Sequence, residues 1–485
     1  MKSLIILGLV LWLAAAAWPS PQRSPAAGNP RTVYISFDDA REVVSALREI
    51  LPERLSGKTD EEIRASWPQW VAQYDASIRQ RLAQGDEDSL VNFVLFGTSF
   101  TKQPRVTLAQ LQELKDIGQI TLTSLTAAND AVSRPITTRV MDLVAAAALP
   151  RRNDRLIFAQ KILSQRGGNL VSPSGRQRAT DYLVASLQRV IAENSGYARV
   201  LEAARLQGDA TEEFAERSRL FRARGLSSDT SLLPNFAIEV ALREIKERGL
   251  LTAGSVQRVA IIGPGLDFTD KQEGYDFYPQ QTIQPFAVVD SLLRLGLAKS
   301  DSINMTTLDL SARVNDHLRQ ASQRAARRVP YVVQLPRDEQ AQWKPEAIQY
   351  WQRFGDQIGQ PARPAAIPLT AGQLKIRAVQ IRPSLVARVR PFDTNIVLQR
   401  LELQASEKFD LIVATNVLVY YDNFDQSLAL INIEKMLRPG GLMLSNNALL
   451  ELPFFKVRSA GYSTVIYSDR PDDGDHIVWY RRVPD

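Results

Sequence analysis

The sequence predicts an α/β fold with a doubly wound, Rossmann-like sheet in its C-terminal half, preceded by a mainly α-helical N-terminal domain. Two observations support this prediction. Up to about residue 250 apolar residues recur with helical spacing, and after it short apolar runs alternate with helical segments. Strands that alternate with helices form parallel sheets covered on both faces. We therefore expect an N-terminal segment (1–27), a helical domain (28–250) and an α/β domain (251–485).

The N-terminal segment has the features of a targeting sequence. Met1-Lys2 precedes the apolar run LIILGLVLWLAAAAW, and a Pro/Ser-rich spacer follows it. A helix of about 16 residues spans about 24 Å, less than the roughly 30 Å hydrocarbon core of a bilayer. With Ala15-Ala16-Ala17 as a cleavage site, the segment predicts export to the periplasm or the extracellular space. An uncleaved membrane anchor is the alternative.

The first half of the chain has helix signals but no chemical motif. Thr59-Asp60-Glu61-Glu62 has the spacing of a capping box, and PNFAIEVALREIKERG places Pro234 before a helix and Gly249 after it. Arg-rich stretches such as LPRRNDR are typical of solvated helix faces. The sequence assigns no role to this half.

The second half contains the predicted strands. Its apolar runs, separated by helical segments, are RVAIIGPG, SLLRLGLA, NMTTLDLS, FDLIVATNVLVYY, LALINIEKML and LMLSNN. Near-continuous apolar runs indicate strands buried on both faces, and a doubly wound sheet binds ligands at the carboxyl ends of its strands.

Composition excludes several chemistries. The 485 residues include no cysteine and only two histidines, His317 and His476, so thiol nucleophiles, disulfides and Cys/His zinc sites are excluded. Neither histidine lies in a recognisable catalytic context, and no metal site is predicted. The net charge of +6 comes from Arg and Lys interspersed with Asp and Glu, so no nucleic-acid partner is expected.

The Gly-Pro-Gly turn at residues 263–265 follows an apolar strand. Gly263 and Gly265 permit a sharp turn and close approach of a ligand, but a dinucleotide fold requires a third glycine, where this chain has Leu266-Asp267. Carboxylates there would repel a diphosphate and would suit a ligand with an ammonium or sulfonium charge. A turn without a ligand is the alternative.

Four motifs in this order resemble class I S-adenosylmethionine-dependent methyltransferases: RVAIIGPG, TLDLS, FDLIVATNVLVYYD and EKMLRPGGLMLSN. The last two are most similar to the chemotaxis-receptor methyltransferase subgroup. The resemblance covers residues 258–446. It implies S-adenosylmethionine as the cofactor and methyl transfer to an acceptor that the sequence does not identify.

The resemblance also implies roles for individual residues. Gly263 and Gly265 match the cofactor loop, Asp309 matches the acid that binds the ribose hydroxyls, and Asn416 matches the position facing the cofactor and the reacting methyl group. A carboxylate offers two strong acceptors to a diol. A helix N-cap is the alternative for Asp309, and a strand-end turn residue is the alternative for Asn416. Asp267 is included as a cofactor-binding residue because its charge suits a cationic ligand.

Catalysis of methyl transfer depends on alignment, which is the role expected for Asn416. Tyr420 and Asp422 are further catalytic candidates, as bases for a weak nucleophile. Two positions depart from the family: Ile261 replaces an acid, and Asp267 replaces the third glycine. These departures keep a non-catalytic, exported binding module on a degenerate methyltransferase fold as the alternative, with a nicotinamide-dependent oxidoreductase third.

Two further segments are expected to be additions to the sheet. The loop after Asp267 carries Tyr275, Phe277 and Tyr278, which we expect to form a small satellite core rather than a lid. Residues 321–372 read as an insertion between the second and third strands of the sheet.

Overall fold

The computed structural model describes residues 30–106, 110, 133–207, 225–269, 275–446, 448–469 and 473–484. Its helices are α1 (Phe37–Ala46), α2 (Asp60–Phe96), α3 (Ser133–Ala148), α4 (Asp154–Gly167), α5 (Pro173–Gln207), α6 (Leu233–Glu247), α7 (Gln284–Arg294), α8 (Ala312–Ala326), α9 (Pro345–Arg353), α10 (Pro383–Val386) and α11 (Asn423–Met436). Its strands are β1 (Thr32–Tyr34), β2 (Arg258–Ile262), β3 (Asn304–Asp309), β4 (Tyr331–Asp338), β5 (Gly359–Pro361), β6 (Leu374–Ile381), β7 (Val389–Asp393), β8 (Gln399–Leu401), β9 (Phe409–Ala414), β10 (Leu437–Ser445), β11 (Val457–Ile466) and β12 (Gly474–Arg482).

A seven-stranded sheet forms the centre of the molecule, in the order β11-β12-β10-β9-β2-β3-β7. The five strands from β10 to β7 run parallel to their neighbours, and β12 and β11 are added antiparallel at one edge. All six residues of β9 are buried, as the apolar run predicts for a strand covered on both faces. The predicted doubly wound α/β fold is confirmed. Two of the apolar runs grouped with the strands are not strands: SLLRLGLA covers the end of α7 and the turn after it, and LALINIEKML lies in α11 up to Met436. The chain order reverses between β2 and β9.

Each face of the sheet has its own core, because successive side chains of a strand point to opposite faces. Val259 and Ile261 of β2 pack with α6, α7 and α8 on one face. Ala260 and Ile262 pack on the other face with α1, the first half of α2 and α11. Helices from the first half of the chain therefore cover both faces of the sheet.

The N-terminal helices have the predicted end signals. Thr59 caps α2 in a capping box: its hydroxyl accepts from the Glu62 N–H, and the Glu62 carboxylate accepts from the Thr59 N–H at 2.8 Å. Pro234 lies in the first turn of α6, and Gly249 follows its end with φ +68°. The end of α2 packs with α3, α4 and α5 in a third core.

The predicted boundary near Leu250 remains a prediction, and two contacts cross it. β1 pairs antiparallel with β8, with Thr32 opposite Leu401. Leu242 and Ile245 of α6 are fully buried in the core that includes β2 and β9. Strand and helix from the first half are thus integral parts of the α/β layer.

The predicted insertion is a small antiparallel sheet of order β4-β6-β5 that lies between α8 and β7. It extends through Ile381, beyond the expected end near residue 372. The aromatic loop before it forms a small cluster in which Tyr275 and Tyr278 pack with Ala371, as expected for a satellite core.

The predicted targeting segment lies outside the described residues. Within the described ranges, no helix combines the length and the apolar character needed to cross a bilayer.

Candidate functional site

A cavity of about 350 Å³ lies at the carboxyl ends of β2, β3 and β9, where the chain order of the sheet reverses. Ile262, Asp309 and Thr415 line it at the ends of these three strands. A doubly wound sheet binds ligands in this crevice, because the loops after the strands diverge there. The volume is within the range of small-molecule and cofactor sites.

Gly263 and Gly265 form the floor of the cavity in left-handed backbone conformations, with φ values of +64° and +62°. A Cβ at Gly263 would lie 2.5 Å from Cγ2 of Val417, and one at Gly265 would lie 2.7 Å from the Ser228 carbonyl oxygen. The two glycines are therefore required both by their φ angles and by the protein segments packed against them.

Asp309 ends β3 inside the cavity and is only 8% exposed. The Ser311 N–H donates to its Oδ1 at 2.7 Å, and the Gly265 N–H also donates to it. Burial raises the pKa of Asp309 to about 7, although these two N–H groups and Arg313 oppose the rise. The cap of α8 is Ser311, whose hydroxyl accepts from the Val314 N–H, so Asp309 is not the N-cap.

Asn416 follows β9 with φ +57° and lines the same cavity. Its backbone N–H donates to Oδ1 of Asn446 at 2.8 Å, and Nδ2 of Asn446 donates to Oδ1 of Asn416. Asn416 therefore has the backbone conformation of a turn residue and a side chain held at the edge of the cavity.

Of the other predicted site residues, one lines the cavity and two lie outside its lining. Tyr420 and its neighbour Tyr421 line the cavity. Asp422 lies outside the lining and caps α11, accepting from the Asp425 N–H at 2.9 Å. Asp267, 2% exposed, also lies outside it, and its Oδ2 accepts from the Tyr278 hydroxyl and the Gln281 amide at 2.8 Å each.

The structure thus brings Gly263, Gly265, Asp309, Asn416 and Tyr420 together in the lining of one cavity. The carboxylates of Asp267 and Asp422 lie outside this lining, where they accept hydrogen bonds from Tyr278 and from the Asp425 N–H.

Sequence reasoning missed the wall that the first half of the chain contributes. Residues 226–231 line the cavity together with Leu82 and Asn92 of α2. This segment pairs with the glycine loop: Thr230 N–H donates to the Leu266 carbonyl at 3.0 Å, and Leu266 N–H donates to the Ser228 carbonyl at 2.7 Å. The run Ser-Ser-Asp-Thr-Ser is a loop signal in the sequence, but no spacing relates it to the glycines.

A second carboxylate, Asp229, faces the cavity from this wall. Its Oδ2 accepts from the Ser89 hydroxyl at 2.8 Å, and its Oδ1 lies 3.7 Å from the Arg313 guanidinium. Two acidic side chains, Asp229 and Asp309, therefore line the cavity, and Arg313 lies beside the first of them.

Apolar and polar side chains both line the cavity. Leu310 and Ile396 line it beside Asp309, on the β3 and β7 side. Thr415 lies on the β9 side, and its hydroxyl accepts from Nε2 of Gln284 at 2.9 Å. No group of three or more His, Cys, Asp or Glu residues able to hold a metal ion occurs among the described residues.

The fold and the site define the class of protein: a doubly wound α/β protein with a small-molecule cavity at its topological switch point. No protein-family model and no curated protein matches the chain.

Several solved structures are similar to about half of the chain, and they are methyltransferases. The N-methyltransferase NodS from Bradyrhizobium japonicum is 14% identical over 51% of this chain and 98% of its own, with a TM-score of 0.25. A TehB-like SAM-dependent methyltransferase from Corynebacterium glutamicum is 11% identical over 56% and 97%, with a TM-score of 0.23.

The glycopeptide N-methyltransferase MtfA, in complex with S-adenosylmethionine, is 14% identical over 52% of this chain and 67% of its own, with a TM-score of 0.21. MtfA also has structures with sinefungin and with S-adenosylhomocysteine. The scores and identities are low, and the strand order of the seven-stranded sheet itself defines the fold.

Proposed function

We propose that this protein binds S-adenosylmethionine in the cavity and transfers its methyl group to an acceptor that is still to be identified. The single observation that carries the proposal is Asp309, a buried carboxylate at the end of β3 that accepts hydrogen bonds from the backbone N–H groups of Ser311 and of Gly265 in the glycine loop. The ordered motifs from RVAIIGPG to RPGG support it, and NVLVYYD with RPGG favours the chemotaxis-receptor subgroup.

The residues present fit this cofactor. Asp309 would accept hydrogen bonds from the ribose hydroxyls, and Leu310 with Ile396 would contact the adenine. Asp229, which also lines the cavity, would contribute negative charge towards the positive charge of the cofactor. When bound, S-adenosylmethionine supplies a methyl group on a positively charged sulfur.

The protein's own contribution is alignment and exclusion of water. Asn416 would orient the reacting groups, and the wall formed by residues 226–231, which pairs with Leu266 after the glycine turn, would help to exclude water. Tyr420, which lines the cavity, is the base candidate that the geometry favours for an acceptor that must lose a proton. Asp422 is the weaker candidate because it caps α11.

A non-catalytic binding module is the second candidate, and Ile261 favours it. This residue stands where the family has an acid, and it is fully buried in the apolar core. The two functions differ in whether bound cofactor turns over.

Calorimetry with S-adenosylmethionine tests the proposal. We expect the chain from residue 30 to bind, and Asp309→Ala to weaken binding by about 1 to 3 kcal/mol through loss of a charge-assisted hydrogen bond. Asp316→Ala, which removes an exposed carboxylate of α8, is the control and should bind as the parent does. Absence of binding by the parent chain at millimolar ligand would refute the proposal, and binding without turnover of any tested acceptor would favour the module.

We further propose that the mature chain lies beyond the cytoplasmic membrane, or is attached to that membrane by its first residues. The charged start, short apolar run and alanine cleavage pattern support this. A reporter fused after Pro30 that is active only in the cytoplasm would exclude export.

A further inference from the structure

Two asparagines at the edge of the cavity bond to each other. Asn416 follows β9 and Asn446 follows β10, and both line the cavity. The Asn416 backbone N–H donates to Oδ1 of Asn446 at 2.8 Å, and Nδ2 of Asn446 donates to Oδ1 of Asn416. The ends of two neighbouring parallel strands are thereby joined by two hydrogen bonds, one from a backbone N–H and one between the side chains.

This network fixes the orientation of both amides. A backbone N–H can only donate, so the Asn446 atom that it faces is the oxygen. The other terminal atom of Asn446 is then a nitrogen, which can only donate, so the Asn416 atom that it faces is the oxygen. The nitrogen of the Asn416 amide takes no part in the pair, and its two hydrogens are the groups left to face a ligand.

We propose that Asn446 is a positioning residue that holds the Asn416 amide with its nitrogen towards the ligand. The site then favours ligands that present a hydrogen-bond acceptor at this point and disfavours ligands that present an N–H donor. The inference rests on the proposed function, because it takes S-adenosylmethionine and its analogues as the ligands, with Asn416 beside the reacting methyl group.

Three compounds differ in the group that would lie beside Asn416, at the position of the sulfur and its reacting methyl group. S-adenosylmethionine has a positively charged sulfur with no attached hydrogen, S-adenosylhomocysteine has a neutral sulfur with lone pairs, and sinefungin has an ammonium group with N–H donors. S-adenosylmethionine and sinefungin carry similar charge, so the ratio of their dissociation constants isolates the hydrogen-bond preference of the site from its electrostatic attraction.

The variant Asn446→Asp reverses the expected orientation. Its carboxylate still accepts from the Asn416 N–H but cannot donate to the Asn416 side chain. The Asn416 amide should then turn its nitrogen to the new carboxylate and its oxygen to the ligand. We expect the affinity for sinefungin to rise by about tenfold relative to the affinity for S-adenosylmethionine, which is the equivalent of one hydrogen bond. Calorimetry at pH 8 measures both dissociation constants.

The control uses the same change without the Asn416 side chain. Asn416→Gly removes the amide, and glycine adopts the observed φ of +57° without strain. On this background, Asn446→Asp should raise the affinity for S-adenosylmethionine and for sinefungin by the same factor. A gain in sinefungin preference on the Asn416→Gly background, or an unchanged preference on the natural one, would overturn the inference while leaving the proposed function intact. Failure of the parent chain to bind any of the three compounds would overturn both.

Discussion

Asp309 combines burial with a position in the cavity lining, and its ionisation should make the proposed binding of S-adenosylmethionine depend on pH. The free protein keeps a proton on this residue up to about pH 7, whereas the unfolded chain releases it near the ordinary value of 3.8. The folded protein therefore loses stability relative to the unfolded chain as pH rises from 3.8 to about 7. The ribose hydroxyls of a bound cofactor would offset this loss, because they donate hydrogen bonds to the ionised carboxylate.

We therefore expect the affinity for S-adenosylmethionine to rise by about tenfold between pH 5.5 and pH 8 and to change little above that. Titration calorimetry at several pH values measures this. Asp309→Asn should lose the pH dependence and keep only that of the ligand itself. A parent chain with a flat profile would show that Asp309 is already ionised at pH 5.5.

Gly265 offers a second test at the scale of one residue. Gly265→Ala places a Cβ within 2.7 Å of the Ser228 carbonyl at a φ of +62°, whereas Gly296→Ala has a φ of +68° and no atom within 4 Å. The left-handed conformation costs an L-residue about 1 to 2 kcal/mol, so we expect that loss at Gly296 and at least about 1 kcal/mol more at Gly265. Urea unfolding of both variants measures the two losses in the free energy of unfolding. Equal losses would mean that residues 226–231 move away from the new Cβ at no energetic cost.

The sequence indicated residues at strand ends that line the cavity and missed lining residues whose position depends on side-chain direction. Asp309 and Asn416, which the motif resemblance implies as site residues, line the cavity at the ends of β3 and β9. Asp267 could not be placed, since its bonds go to Tyr278 and Gln281 in a loop of no regular periodicity. Asp422 has a cap position that sequence alone could have indicated, as it precedes α11.

At the scale of elements, α4 holds the loop that follows the glycine turn. Arg155 of α4 is 1% exposed and donates to four backbone carbonyls of that loop. The acceptors and distances are Phe268 at 2.5 Å, Tyr278 at 2.6 Å, Asp267 at 2.8 Å and Tyr275 at 3.0 Å. One side chain thereby satisfies carbonyls that burial would otherwise leave without donors.

We expect Arg155→Met to lower the free energy of unfolding by about 3 kcal/mol or more, because several buried carbonyls lose a charged donor together. Arg152→Met, at an exposed position just before the same helix, should change it by less than about 0.5 kcal/mol. Denaturant midpoints measure both variants. Similar small losses would show that water replaces the guanidinium in the loop.

The wall of residues 226–231 shows why the sequence could predict the sheet better than the whole site. Strand and helix patterns are local, so β2, β3, β9 and β10 were recognisable from apolar runs. The pairing of Thr230 with Leu266 joins segments from different halves of the chain and has no local signal.

At the scale of the whole molecule, the two halves share their cores. We expect a chain of residues 251–485 to lack a cooperative unfolding transition and to bind no S-adenosylmethionine, since it would expose the surface that α6 covers and would lack residues 226–231. The chain of residues 30–485 is the control. A 251–485 chain that unfolds cooperatively would instead confirm two separable domains with a boundary near Leu250.

The pairing of β1 with β8 can form only late in the synthesis of the chain. Thr32 and Leu401 are about 370 residues apart, so the partner of the first strand leaves the ribosome long after the strand itself. At about 5 to 20 residues per second, this interval is roughly 20 to 75 s. Throughout it, the edge of β1 lacks its native partner, whereas α1 can already pack on α2, where Phe37 contacts Trp67. We therefore expect β1 to be among the last strands of the fold to pair.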